Sequence, residues 1–411
     1  MKKIAFILGH NPILSIAEIL SLARNNKLEF NIVDIISDCL IIETETIDTQ
    51  HWQSMLGGTI KIGEIISSFK EQGHLFDYLT KENLLNSFFA QKDKKITFGI
   101  SEYGVSFNKE EKIRKLAIEI KKSLQDDGYS CRYVQAEKKN LSSVQVEKNK
   151  LIQQGSEILL IGGIYSFYVG RTLSVQDFED YSERDYGRPG RDAKSGMLPP
   201  KLAKIMINLA QADKNSVLLD PFCGSGTILQ ESLLLGYKKI IGTDISAKAV
   251  DDSQQNTQWL IQEKNINDAE IKIFQSDIKK LFETIQANSV DCLVTEPYLG
   301  QPEKYKSVSE IFPAIEELED LYVETFKVFD KICSIDATIV MVFPLIKFEN
   351  DVFVLKILEK INELGWQRTN PIPEKISLFA KIGPTARGSL IYQRPNQRVS
   401  REIFIFRRQK N

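Results

Sequence analysis

The sequence predicts an α/β fold in which a doubly wound, Rossmann-like sheet forms the C-terminal half and an α+β region precedes it. The 411 residues suggest two or three domains, and a hydrophobic fraction of 42% supports full-sized cores. An apolar strand ends in Asp220, a glycine-rich turn and a helix follow, and a second apolar strand ends in Asp244. This order is the first βαβ half of a doubly wound sheet, whose ligands lie beyond the carboxyl ends of the strands.

The other elements of the C-terminal half follow from apolar spacing and from glycine and proline positions. In order, we predict helix 200–210, strand 217–220, helix 227–235, strand 239–243, helix 247–262, strand 270–275, helix 278–284, strand 292–294, helix 311–333 and strand 337–343, which ends before Pro344. The segments SLIYQR and REIFIFRR are predicted to pair as an antiparallel closing hairpin around Pro395-Asn396-Gln397.

The N-terminal half reads as shorter strands and helices. We predict strands 4–8, 30–37, 38–43, 95–101, 157–165 and 168–175, helix 15–23 and an amphipathic helix 112–124. Lys and Arg outnumber Asp and Glu between Gln91 and Lys150, although the whole chain carries a net charge of only −2. Any nucleic-acid surface must therefore be a local patch, and a solvated helix face is the alternative explanation.

The glycine-rich turn is the first candidate ligand site. Pro221 breaks the strand, Gly224 and Gly226 allow backbone amides to approach a ligand, and Thr227 begins the helix. Asp244 lies where an acidic side chain can bind two ribose hydroxyls. A glycine turn without any ligand is the plain alternative.

Two cofactor classes share this geometry, dinucleotides and S-adenosylmethionine. Leu229 stands where the dinucleotide fingerprint requires a small residue. S-adenosylmethionine has no pyrophosphate, and Asp220 can face the cationic end of its methionine moiety. The residues therefore favour S-adenosylmethionine.

The stretch Thr295-Glu296-Pro297-Tyr298, directly after an apolar strand, resembles the (D/N)PPY signature of enzymes that methylate exocyclic amines of bases. The resemblance implies a seven-stranded methyltransferase sheet in which this motif ends the fourth strand. It also implies that a polar side chain and the Pro297 carbonyl accept the hydrogens of the amine, while Tyr298 stacks on the base. In methyltransferases an acid at the position of Asp277 accepts from the adenine amine, but Asp277 is equally suited to cap the next helix.

The segment 181–210 resembles the RP…R…LPPKLA passage of the THUMP-containing tRNA guanosine N2-methyltransferases that act on position 10. The pattern of residues 95–175, with its FYVGRTLSVQD end, resembles the THUMP domain, an RNA-binding module. The resemblance covers nearly the whole chain and implies three parts, namely an RNA-binding region at 1–180, a linker at 181–200 and a methyltransferase domain at 201–411. Four cations of the linker are predicted to contact RNA phosphates: Arg184, Arg188, Arg191 and Lys194.

The family motif is DPPYG, whereas this chain has TEPYLG, so Thr295 replaces the acidic or amide residue and Glu296 replaces the first proline. We expect Glu296 to take over the accepting role. The expected activity is S-adenosylmethionine-dependent methylation of an RNA base amine, with guanine N2 of tRNA as the expected target. Ribosomal RNA, adenine N6 in DNA, and a non-catalytic RNA-binding protein with a degenerate site are the alternatives.

The cysteine pattern and the lengths of the apolar runs indicate the cellular compartment. The five cysteines are scattered without a CxxC pair, so neither a metal site nor a disulfide framework is predicted. No apolar run reaches membrane-spanning length. A cytoplasmic protein with a structured RNA partner is expected, and an activator subunit stays open.

Overall fold

A computed structural model describes residues 1–89, 95–104, 110–137, 139–163, 165–190, 197–301, 305–374, 376, 383–394 and 397–408. The chain forms two compact units. The first comprises Met1–Pro12 and Leu28–Asp180, and the second comprises Ile13–Lys27 and Tyr181–Asn411.

Helix α1 (Pro12–Asn25) belongs to the second unit from Ile13 onward. Its Glu18 carboxylate accepts a hydrogen bond from Asn208 Nδ2 at 2.8 Å, and both side chains are buried. Our prediction that this helix lies in the N-terminal region is therefore wrong. Its apolar spacing showed that one face is buried, but not which unit buries it.

Within the described residues, the first unit is built on one mixed sheet. Its strands are β1 (Lys2–Leu8), β2 (Phe30–Ile36), β3 (Cys39–Thr44), β4 (Thr59–Phe69), β5 (Lys95–Gly104), β6 (Ser130–Val134), β7 (Gly155–Gly162) and β8 (Phe167–Val175). They pair in the order β2-β3-β1-β4-β8-β7-β5-β6, and β5 runs parallel to both β6 and β7. The helices are α2 (Thr49–Met55), α3 (Gln72–Tyr78), α4 (Lys81–Phe88), α5 (Glu110–Asp126) and α6 (Ser143–Lys148).

A buried ion pair crosses the middle of this sheet. Lys61 Nζ donates to Glu157 Oε1 at 2.5 Å, and Glu157 also accepts from Ser101 Oγ and Thr172 Oγ1. The four residues come from β4, β7, β5 and β8, so this network ties four strands together. Because both charges have hydrogen-bond partners, their desolvation is compensated.

The second unit contains the predicted doubly wound sheet. Its strands are β9 (Val217–Asp220), β10 (Lys239–Asp244), β11 (Glu270–Gln275), β12 (Val290–Thr295), β13 (Cys333–Phe348), β14 (Asp351–Val354), β15 (Trp366–Arg368), β16 (Leu390–Tyr392) and β17 (Val399–Arg408). Seven of them follow the order β11-β10-β9-β12-β13-β17-β15, which confirms the predicted α/β architecture. The first five are parallel, and β17 runs antiparallel to β13.

Helix α7 (Phe178–Ser182) begins in the first unit and continues into the second as a π-helical turn over Glu183–Gly187. The further helices of the second unit are α8 (Pro200–Ala210), α9 (Thr227–Leu234), α10 (Ala247–Lys264), a 3₁₀ helix (Ile278–Glu283), α11 (Val308–Ile332) and α12 (Leu358–Glu363). The core packs Leu219 and Leu293 of the central strands against Phe326 and Phe329 of α11. None of the helices among the described residues is long and apolar enough to span a bilayer.

One prediction for the end of the sheet needs correction. Strand β13 does not end before Pro344 but runs through it to Phe348. The pairing with β12 stops at Met341 and that with β14 starts at Leu345, so a residue without an N–H is tolerated between them.

The predicted antiparallel closing hairpin is confirmed. Strand β16 pairs with Arg401–Ile403 of β17, and β15 pairs with Phe406–Arg408 further along the same edge. The edge position is therefore shared by two short strands. Pro395 and Asn396 lie outside the described residues.

Candidate active site at the carboxyl edge of the second sheet

Three strand ends bring polar side chains to one edge of the second sheet. Asp220 ends β9, Asp244 ends β10 and Thr295 ends β12, and these strands are parallel neighbours in the order β10-β9-β12. The chain order of the strands reverses between β9 and β12. Ligands of doubly wound sheets bind at such a switch point, beyond the carboxyl ends of the strands.

Asp220 lies at this switch point with only 1% of its surface exposed. Its Oδ1 accepts from Thr295 Oγ1 at 2.7 Å and from the Phe222 amide at 3.2 Å. The pKa of Asp220 is raised to about 7, mainly because the side chain is buried. The hydrogen bonds from Thr295 and Phe222 oppose this shift, and the charges of Asp244 and Glu296 add to it. A cation arriving at this edge would favour the ionised form.

Asp244 holds the glycine-rich turn. Its Oδ2 accepts from the Gly224 amide at 3.0 Å, and its Oδ1 accepts from the Ser246 amide at 2.9 Å. Gly226 has φ +82°, and a Cβ there would lie 2.5 Å from Ser253 Oγ. Only glycine fits that position without a shift of its neighbours. The turn therefore has a fixed shape, with Asp244 at its rim.

The remaining predicted cofactor residues lie close to this turn. Pro221 is buried, and its carbonyl accepts from Thr243 Oγ1 at 3.4 Å. Thr227 is 6% exposed and accepts from Arg188. Asp277 caps the 3₁₀ helix by accepting from the Lys279 amide at 3.0 Å, which is the alternative role that the sequence left open. Its contact with an adenine amine stays a prediction.

The TEPY stretch begins with a side chain that points inward. Thr295 has no exposed surface, and its hydroxyl donates to Asp220. The hydroxyl of Thr295 thus holds Asp220 and fixes the start of the stretch. Its contact with a base amine stays a prediction.

The rest of the stretch lies nearer the surface. Pro297 is buried, whereas Tyr298 is 51% exposed. Tyr322 Oη donates to the Tyr298 carbonyl at 3.3 Å and to the Val342 carbonyl at 3.2 Å, so the backbone under the exposed ring is anchored. An anchored, exposed aromatic ring is suited to stack on a flat ligand.

The sequence did not predict the partner of Glu296. Arg401 on β17 donates from Nε to Glu296 Oε2 and from Nη2 to Glu296 Oε1, the latter at 3.0 Å. The side chains are 10% and 12% exposed, respectively. An arginine within the apolar strand REIFIF was the available signal, because a cation in such a strand needs an acidic partner.

The cations assigned to RNA contact are used differently. Arg184 is 1% exposed and donates from Nε to Glu231 Oε1 at 2.6 Å. Arg188 is 2% exposed and donates from Nη1 to Thr227 Oγ1 at 2.8 Å. Buried, paired arginines do not contact phosphates, so both assignments are wrong. Arg191 and Lys194 lie outside the described residues.

The described part of the 181–200 segment is therefore packed into the second unit and does not act as a free linker. Asn256 on α10 accepts from the Gly190 amide at 2.7 Å and donates from Nδ2 to the Ser225 carbonyl at 2.8 Å. Ser225 belongs to the glycine-rich turn. The segment thus braces this turn through Arg188 and Asn256.

Two family models and several tRNA methyltransferases match parts of this chain. The UPF0020 family model, an RMKL-like methyltransferase domain, matches residues 188–363, and a DNA methylase family model matches residues 45–255. The tRNA (guanine(10)-N2)-dimethyltransferase of Methanocaldococcus jannaschii is 32% identical over 138 residues, or 33% of this chain and 38% of that protein. The probable tRNA (guanine(10)-N2)-dimethyltransferase of Methanothermococcus thermolithotrophicus is 36% identical over 116 residues, or 27% of this chain and 68% of that protein.

The chain belongs to the same methyltransferase family as the Methanothermococcus thermolithotrophicus protein, of which it covers 68% at 36% identity. It spans 38% of the length of the Methanocaldococcus jannaschii relative and 37% of the length of the tRNA (guanine(10)-N2)-dimethyltransferase of Methanothermobacter thermautotrophicus. TrmN from Thermus thermophilus has the same fold, with a TM-score of 0.55, 11% identity and 100% of both chains covered. At that identity, the likeness concerns the fold alone. The second unit is referred to below as the methyltransferase unit.

The raised pKa of Asp220 predicts a pH-dependent stability of this unit. Folding raises the pKa of Asp220 from 3.8 to about 7. Between about pH 4 and pH 7, its carboxyl is therefore protonated in the folded chain and ionised in the unfolded chain. The folded state then binds more protons, so the free energy of unfolding falls with rising pH by up to about 1.4 kcal/mol per pH unit. We expect Asp220→Asn to lose this slope in chemical denaturation without cofactor.

The exposed Asp251 provides the matched control for that measurement. Asp251→Asn should keep the slope of the parent protein between about pH 4 and about pH 7. Equal slopes for the parent protein and Asp220→Asn would show that Asp220 ionises normally.

Proposed function

We propose that the chain transfers a methyl group from S-adenosylmethionine to an exocyclic base amine in RNA, with guanine N2 of tRNA as the leading substrate. The observation that carries this proposal is the carboxyl edge of the methyltransferase unit. There, the charges of Asp244 and Glu296 act on the buried Asp220, and the exposed Tyr298 follows Glu296 by two residues. The names of the matched relatives support tRNA as the substrate class.

The charge of this edge suits S-adenosylmethionine. Asp244 and Glu296 both raise the pKa of the buried Asp220, so negative charge is crowded there. The sulfonium and ammonium of S-adenosylmethionine offset this charge, whereas the pyrophosphate of a dinucleotide would add to it. Asp244 would hold the ribose, and Asp277 the adenine amine. Ile245, which is 67% exposed next to Asp244, offers an apolar surface for the adenine ring.

Catalysis in such a site is mostly positioning. S-adenosylmethionine, held by Asp244 and Asp277, would supply an activated methyl group. The electron pair of the broken C–S bond would stay on sulfur, and the base amine that takes the methyl group would lose a proton to water. Tyr298 stacks on the base and sets its plane. Glu296 keeps two of its four lone-pair positions beyond those that Arg401 occupies, and it accepts a hydrogen of the amine there.

RNA would be held by the first unit through helix α5. Lys112, Arg114, Lys115 and Lys122 are exposed on this helix, while Ala117, Ile120 and Leu124 face the core. The amphipathic helix is confirmed as predicted, and its exposed side offers cations to a phosphate backbone. We propose that residues 95–175 of the first unit form a THUMP-like module.

The proposal includes a cytoplasmic location. All five cysteines are free and buried, as expected in a reducing compartment.

The central experiment is methyl transfer to defined nucleic acids. Incubation with labelled S-adenosylmethionine and unmodified tRNA, followed by digestion to nucleosides, should yield labelled N2-methylguanosine or N2,N2-dimethylguanosine. Tyr298→Ala should lower the yield by about 10-fold or more, because stacking on an aromatic ring contributes about 1–3 kcal/mol per base. The exposed Tyr165 in the first unit provides the matched control, Tyr165→Ala.

Two outcomes would redirect the proposal. Label in N6-methyladenine of DNA would select the second candidate, which the DNA methylase match at residues 45–255 favours. No label in tRNA, ribosomal RNA or DNA, despite cofactor binding, would select a non-catalytic RNA-binding protein.

Cofactor binding gives an independent prediction. Asp244→Ala should weaken S-adenosylmethionine binding by about 1–3 kcal/mol, because charge-assisted hydrogen bonds to the ribose are lost. The turn should loosen as well, since Asp244 holds the Gly224 amide. Isothermal calorimetry measures the affinity, and Asp251→Ala serves as control. An unchanged affinity would remove Asp244 from the site.

RNA binding by α5 can be tested with a triple variant. Lys112→Ala, Arg114→Ala and Lys115→Ala together should weaken tRNA binding and reduce the slope of log affinity against log salt by about 1 for each lost phosphate contact. The control replaces three exposed lysines of the methyltransferase unit by alanine: Lys239, Lys272 and Lys360. Equal losses in both triple variants would mean that α5 is only a solvated helix.

A further inference from the structure

We propose that Arg401 is a positioning residue of the methyltransferase site, which holds the Glu296 carboxylate in the orientation that receives the base amine. This inference deepens the proposed function and rests on it. Its observation is the two-pronged contact from Arg401 Nε and Nη2 to the two oxygens of Glu296. Such a fork fixes both the position and the plane of a carboxylate, which a single contact does not.

The strand register explains why the contact lies at the reacting edge. Thr295, the last residue of β12, pairs with Met341 of β13, whereas Arg401 of β17 pairs with Pro344 of β13. Arg401 therefore stands beyond the end of β12. Its side chain crosses β13 and meets the residue that follows Thr295. The Arg401 guanidinium thus contacts the TEPY stretch at Glu296, the first residue after β12.

Two contacts then fix two consecutive residues. The Thr295 hydroxyl is held by Asp220 on β9, and the Glu296 carboxylate is held by Arg401 on β17. The stretch is anchored on both sides of β12 immediately before Pro297 and Tyr298. Restraint of this kind lowers the cost of aligning the amine with the methyl donor.

The ion pair also determines how Glu296 acts. Glu296 raises the pKa of Arg401, although burial opposes the shift, so the guanidinium remains charged. Arg401 leaves lone pairs of the Glu296 carboxylate free to accept further hydrogen bonds. Glu296 therefore orients the hydrogens of the amine.

A second ion pair, between Arg387 and Glu402 of β17, allows the positioning role of Arg401 to be distinguished from a contribution to stability alone. Arg387 Nε donates to Glu402 Oε1 at 3.0 Å, and Glu402 is 1% exposed. Glu402 directly follows Arg401, so the two side chains point to opposite faces of the strand. Replacing Arg387 disturbs a comparable ion pair without touching Glu296.

The experiment compares Arg401→Met, Arg401→Lys, Glu296→Gln, the Glu296→Gln/Arg401→Met double variant and Arg387→Met. Single-turnover methyl transfer to tRNA should fall about 100-fold for Arg401→Met, as is typical for loss of one positioned group. Arg401→Lys should fall less, because it keeps the charge but not the fork. The double variant should be no slower than Glu296→Gln, since Arg401 acts through Glu296.

Readouts besides the rate test whether Arg401 is merely structural. The affinities for S-adenosylmethionine and tRNA should stay within about twofold of the parent protein, and Arg387→Met should keep the parent rate at temperatures below unfolding. The inference is overturned if Arg387→Met slows transfer as much as Arg401→Met, or if the losses of Glu296→Gln and Arg401→Met multiply. A parent protein that methylates no RNA would overturn the proposed function and the inference with it.

Discussion

The hydrogen bond from Thr295 to the buried Asp220 is the constraint on which the site depends. It joins the ends of β9 and β12, the two strands between which the strand order reverses. Because Asp220 is buried among other acids, this edge is electrostatically unfavourable until a cation balances it. Arg401 pairs with Glu296, and the positively charged cofactor proposed above would balance the remaining carboxylates. The sheet topology places the site at this edge, and the excess of carboxylates there favours a cationic ligand.

Arginines inside the methyltransferase unit shape the site without facing solvent. Arg188 and Asn256 brace the glycine-rich turn, and Arg401 holds the TEPY stretch. Each contact joins segments that are far apart in the chain. A guanidinium suits this task because its planar set of donors satisfies several acceptors at once. The basic character of the 181–200 segment thus reflects, at Arg184 and Arg188, internal pairing rather than an RNA surface.

The features predicted correctly from the sequence are those that residues close together in the chain determine. The βαβ unit, the acids at the strand ends and helix α5 were predicted because apolar period and turn residues act over a few positions. The contact between Arg401 and Glu296 was not, since 105 residues separate them. Helix α1 was assigned to the wrong unit because an apolar face does not name its partner. Arg184 and Arg188 were placed on a surface because charge alone does not reveal a buried carboxylate such as Glu231.

The departures from the DPPYG motif are coupled by this geometry. An aspartate at 295 would place a second carboxylate against the buried Asp220, where two like charges repel. Threonine removes that repulsion and donates the hydrogen bond that Asp220 accepts. The carboxylate then stands one residue further along, where Arg401 reaches it from β17. Thr295, Glu296 and Arg401 therefore form one arrangement, in which the inward residue supports the fold and the next residue keeps an acceptor at the edge.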